Sequence, residues 1–130
     1  MLPILGLIIG ILVGIFIPYN IPYKYSNYVA ISILAALDSV FGAAAATLQN
    51  KFNMKVFISG FFGNAMLAAV LAYIGDKLGI QLYLAAVFAF GNRLFLNFAV
   101  IRRLLLNKIS KKDNKDNIDI DGIDNKMDIL

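Results

Sequence analysis

The sequence predicts an all-α membrane protein: a compact bundle of four transmembrane helices with a disordered C-terminal tail. Three observations predict it. Of 130 residues, 60% are hydrophobic and only 15% charged, far from the usual soluble balance. Before Arg102 the only charges are Lys24, Asp38, Lys51, Lys55, Asp76, Lys77 and Arg93, too few to cover a soluble surface. Four apolar runs approach the ~20 residues that a spanning helix needs.

The first run, 2–18, is the shortest and is bounded by Pro3 and Pro18. It lacks the basic leader and small-residue cleavage site of a signal peptide, so it is expected to remain as a helix. The next two runs cover 29–48 and 56–75. The fourth covers 80–101 and is expected to continue to Leu106 beyond the hydrocarbon. Residues 1–106 thus form one transmembrane domain. The remainder, 107–130, is basic at first and then rich in Asp and Asn, a composition that cannot bury a core and predicts disorder.

Lysine and arginine give the direction. With the N-terminus inside, the inner parts hold Lys51, Lys55, Arg102, Arg103, Lys108, Lys111, Lys112, Lys115 and Lys126, against Lys24 and Lys77 outside. The positive-inside rule then places both termini in the cytoplasm. Tyr19, Tyr23, Tyr25, Tyr28, Tyr73 and Tyr83 all fall at the outer ends of the runs, where a phenol keeps its ring in lipid and its hydroxyl in water. The net charge of +4 therefore points to topology and to anionic lipid at Arg102, Arg103, Lys108, Lys111 and Lys112, not to nucleic acid.

Helices in lipid associate through close backbone approach and interhelical hydrogen bonds. Each run carries residues at i, i+4 spacing that would share one helical face. These are Gly6, Gly10 and Gly14; Ala35, Ser39, Ala43 and Thr47, beside Asp38, Gly42 and Ala46; Gly60, Asn64, Ala68 and Ala72; and Ala85, Ala89, Arg93 and Asn97. Gly6, Gly10, Gly14 and Gly60 are the expected points of closest packing.

Asp38 and Arg93 are the only charges inside these runs and have opposite signs. Arg93 lies nine residues before Arg102, or ~13 Å along a helix, close to the middle of a ~30 Å hydrocarbon core. A lone charge there costs roughly 2.5–3.5 kcal/mol on insertion scales. Pairing relieves both, and a carboxylate and a guanidinium can join through two parallel hydrogen bonds. Asn64, Asn92 or Asn97 would fill the remaining bonds.

The chain has no Cys and no His, which removes the thiolate nucleophile, the commonest general base and the commonest metal ligand. One buried carboxylate supplies neither a nucleophile–base pair nor a carboxylate dyad, so no enzyme, cofactor or metal is expected. Residues 117–128 place Asn117, Asp119, Asp121, Gly122 and Asp128 at the spacing of a calcium loop. Asp replaces the bidentate Glu, however, and no helical pattern flanks the loop.

The stretches YSNYVAISILAALDSVFG (25–42), FISGFFGNAMLA (57–68) and LGIQLYLAAVFAFGNRLFLNFAVIRR (78–103) resemble the small basic protein family of bacterial integral membrane proteins. The resemblance extends from about Leu2 to Leu106. Matching positions include Tyr25, Ser26, Asn27, Tyr28, Leu37, Asp38, Gly91, Arg93, Asn97, Arg102 and Arg103. One departure is the run Ala43-Ala44-Ala45-Ala46, where the family pattern has a second glycine and then a basic residue. The resemblance implies a small multi-pass inner-membrane protein of Gram-positive and related bacteria. It also implies a gene beside cell-division and envelope genes, and no established biochemical activity.

The expected function is a non-enzymatic component of the bacterial plasma membrane, partnered by the bilayer and by a second copy or another membrane protein. The rival is an ion or small-solute channel or transporter subunit using Asp38, Asn64 and Arg93.

Overall fold

The structure, a computed structural model, describes residues 1–129. It is helical, with no strand among those residues. Helix α1 spans Leu2–Phe16, α2 Ser26–Leu48, α3 Met54–Leu78 and α4 Tyr83–Met127. Three of them, α2, α3 and α4, are long and apolar enough to cross a membrane.

Local chemistry sets the ends. Pro3 sits in the first turn of α1, where its missing N–H is no loss. Pro18 forces Ile17 into an extended conformation (φ −91°, ψ 109°) and so stops the helix. At the start of α3 the Asn53 side chain accepts from the N–H groups of Lys55 and Val56 at 2.9 and 3.3 Å, an ordinary N-cap. Asn50 takes the left-handed conformation (φ 57°), and the Lys51 N–H returns to the Ala46 carbonyl at 2.8 Å. Gly79 does the same for α3 at φ 68°, with the Ile80 N–H on the Gly75 carbonyl at 3.0 Å. Both are Schellman-type endings. The loops they close are short, so α2, α3 and α4 run alternately up and down.

Helix α2 is the centre. It packs against both α3 and α4, which touch each other much less. The core is Ile31 and Ala35 from α2, Ala68 and Ala72 from α3, and Ala86 and Phe90 from α4. Alanine dominates because it lets the backbones approach closely. Tyr28, Tyr83, Leu34, Leu71 and Val87 extend this core, and the Tyr28 hydroxyl donates to the Asp76 carboxylate. That end of the bundle is therefore the tyrosine end; the α2–α3 loop with Lys51 marks the other.

Helix α1 departs from the expected compact four-helix bundle. Its 15 residues reach only ~22 Å at 1.5 Å each, and only Pro3, Ile4 and Leu7 are even half-buried. A Cβ at Gly6, Gly10, Gly14 or Gly60 would meet nothing within 4 Å. These glycines are not points of close approach within the chain. For the α1 glycines the reason lies in the partner face, since α2 lines the intervening groove with Ile33, Leu37 and Val40 and bulk there holds the backbones apart; Gly60 borders a cleft on the other side of α3.

Two further expectations change. On α4 the inward face is Ala86, Phe90, Leu94 and Asn97, while Ala85, Ala89 and Arg93 are exposed. The tail continues α4 as helix through Met127, including all of the 117–128 stretch but its last residue, instead of being disordered. Extending an existing helix requires no new nucleus, and no proline interrupts the chain after Pro22. Every described residue beyond Leu104 is exposed. Deleting residues 113–130 should therefore leave the melting temperature of the detergent-solubilised protein unchanged; a fall of several degrees would show that the tail packs on the bundle.

Candidate functional site

Asp38 lies on α2 just beyond the alanine core, on the side of the α2–α3 loop. It is fully buried, and its Oδ2 is 3.2 Å from Arg93 Nη2 on α4. The arginine side chain is 56% exposed, so the pair reaches from the inside of the bundle to its flank. The contact is a single point and not the expected two-bond fork: neither carboxylate oxygen receives an aligned hydrogen bond.

The asparagines go elsewhere. Asn64 Nδ2 on α3 donates to Ser39 Oγ at 3.5 Å, a long bond, and Ser39 in turn donates to the Ala35 carbonyl at 3.2 Å. Asn97 Nδ2 packs on Gly42, 3.5 Å from where a Cβ would stand. Asn92 is exposed. Thus Asp38, Arg93, Asn64 and Asn97 gather around one stretch of α2, as two separate contacts beside an ion pair.

A cleft of about 220 Å³ joins these groups. Asp38, Ser39, Gly42, Ala43 and Ala46 form its floor, Gly60 and Asn64 one wall, and Arg93 the other. It extends to Lys51, Phe52 and Asn53 in the α2–α3 loop. Small residues on α2 keep the floor low, and the slight contact between α3 and α4 leaves the side open. Two cations and one carboxylate line it, so it presents hydrogen-bond donors and positive charge along a mostly apolar helix surface. Sequence reasoning missed Lys51 as a wall of this cleft and Tyr28–Asp76 as a bond between helices. Both involve residues at helix ends, where spacing along one helix carries no information about the neighbour.

The family model described as "Protein of unknown function (DUF1290)" matches residues 21–106. A "Small basic protein" of Bacillus subtilis is 52% identical over 116 residues, covering 88% of this chain and 96% of its own length. The chain belongs to the small basic protein family. Uncharacterised proteins of Mycobacterium bovis and Mycobacterium tuberculosis are 44% identical over 80 residues, or 60% of this chain and 66% of theirs. No solved structure matches. The family match contains the whole of α2 and α3, the apolar part of α4, and so the complete cleft; α1 and the tail lie outside it.

Proposed function

We propose that this small basic protein family member is a non-enzymatic integral protein of the bacterial plasma membrane, crossing it four times with both termini in the cytoplasm. It acts as an interaction component in cell division or envelope processes, the latter link resting on the resemblance. The orientation draws support from the separation of charges: Lys51, Lys55, Arg102 and Arg103 belong to one end of the bundle, and Tyr28, Tyr73 and Tyr83 to the other.

One observation carries the docking role. Arg93 is tied to a buried carboxylate yet stands more than half exposed on the flank of the bundle. At mid-depth an uncovered guanidinium is costly, and a neighbouring helix bearing an acceptor would cover it. A second copy or another membrane protein fits that position. In native membranes, a photoactivatable residue at Ala89, one turn from Arg93 and exposed, should cross-link a defined protein partner. Arg93→Gln should reduce that product strongly. An unchanged product would remove Arg93 from the interface, and cross-links to lipid alone would sink the docking role.

A transport reading has one observation in its favour. Both Asp38 oxygens lack an aligned donor within a cleft that extends to Lys51, as a site for a passing cation or hydroxyl would require. In that case the wild type conducts ions in liposomes and Asp38→Asn abolishes the flux.

A further inference from the structure

The polar cleft on α2 has two unlike ends. Asp38, Ser39, Gly42, Ala43 and Ala46 of its floor share one face of the helix. From Ala46 to Asp38 that floor runs eight residues, or ~12 Å. At the shallow end Lys51 and Asn53 of the α2–α3 loop line the cleft, and both are exposed. At the deep end it stops. The next turns of α2 carry Ala35 and Ile31, which pack with Ala68, Ala72, Ala86 and Phe90. None of these core residues lines the cleft.

Polar groups stand at both ends: Lys51 and Asn53 at the mouth, and Asp38, Ser39, Asn64 and Arg93 at depth. An acyl chain laid along the floor would desolvate those groups and return no hydrogen bond, which is costly for each of them. Water supplies donors to the two Asp38 oxygens, to which the bundle itself offers no aligned donor. It also supplies acceptors to Asn64 and Arg93. The volume of about 220 Å³ is room for about seven waters at ~30 Å³ each. We propose that the cleft is a water-filled inlet, open at the α2–α3 loop and closed beyond Asp38, that admits small neutral or anionic solutes to the ion pair. Anions are favoured over cations because Lys51 stands at the mouth, while Arg93 offsets the one carboxylate. The inlet gives the transport alternative a direction. A passage closed on the tyrosine side is no fixed pore, so flux through it requires a second conformation. Only the side of the membrane on which it opens rests on the orientation proposed for the bundle.

The chain has no cysteine, so single thiols can be placed in the full chain and probed from either side of sealed membrane vesicles. The probes are two small methanethiosulfonates, one ending in a sulfonate and one in a quaternary ammonium. Gly60→Cys tests the wall of the cleft, where an added Cβ meets nothing within 4 Å. Ala46→Cys tests the floor. Phe62→Cys, two residues further along α3 and 67% exposed, tests the opposite face of that helix at similar depth. The Gly60→Cys and Ala46→Cys thiols should be labelled from the cytoplasmic side only, the sulfonate reacting faster than the ammonium. Adding Lys51→Gln should erase that difference, and the Phe62→Cys thiol should stay unlabelled. Labelling in the cleft no faster than at Phe62→Cys overturns the inlet, and labelling from both sides overturns its closed end. An undiminished sulfonate preference after Lys51→Gln overturns the selection by charge. Labelling from the outer side alone supports the inlet and overturns the orientation. On the wild type, magnetisation transfer from water in solid-state NMR should reach the Asp38 carboxyl carbon before the methyl groups of Ile31 and Ala68. Simultaneous arrival overturns the proposal, whether or not the thiol variants accumulate.

Discussion

Arg93→Gln is expected to destabilise the bundle more than Asp38→Asn. The asymmetry follows from burial: Asp38 is fully enclosed while the Arg93 side chain is 56% exposed. Removing the arginine strands a carboxylate inside the helices, and breaking a buried pair in this way typically costs ~3–5 kcal/mol. Removing the carboxylate changes the surroundings of the guanidinium less, because it already stands more than half exposed on the flank. What remains inside is an amide without partners, a loss of roughly 1–3 kcal/mol. The double change should recover part of the Arg93→Gln loss, because the residual penalty of the stranded charge disappears. A double-mutant cycle on thermal stability in detergent reads the coupling directly. Strictly additive losses, or a larger effect from Asp38→Asn, would mean that the 3.2 Å contact contributes nothing to folding.

Two glycines of the same helix should respond with opposite signs. An alanine in the middle of a helix is ordinarily more stable than glycine by roughly 0.8–1 kcal/mol. Gly63 has nothing within 4 Å of an added Cβ, so Gly63→Ala should raise the melting temperature. At Gly75 the added atom would stand 2.7 Å from the Ile80 carbonyl oxygen and 3.0 Å from the Leu82 nitrogen. Those are backbone atoms of the tight α3–α4 turn and cannot swing aside. Gly75→Ala should therefore lose ~1–3 kcal/mol through overpacking despite the gain in helix propensity. Equal shifts for the two variants would show that the turn yields freely.

How much of this was legible beforehand depended on whether the signal lay within one helix or between two. The runs 29–48 and 56–75 anticipate α2 and α3 to within three residues at each end, because apolar length is a property of a single segment. Asp38 with Arg93 was legible because no other charges compete for that depth. Gly6, Gly10 and Gly14 misled because a glycine stripe marks only the possibility of close approach. Ile33, Leu37 and Val40 on the opposing helix decide whether it happens. On α4 the inward face was misjudged by one residue, Ala86 and Phe90 in place of Ala85 and Ala89. Small size alone cannot set the rotation of a helix that also buries a phenylalanine. The tail was read from composition, which describes an isolated segment. Here it is the continuation of a helix already formed.

That continuation has a mechanical consequence. Helix α4 is 45 residues of unbroken backbone, a rod of ~68 Å at 1.5 Å per residue, without a proline to act as a joint. Arg93 and Met127 lie 34 residues apart on it, a lever arm of ~51 Å. Any tilt or roll of α4 at the ion pair is delivered at the far tip as displacement rather than absorbed along the way. Whatever touches that tip is geared to the position of a single arginine in the middle of the bundle.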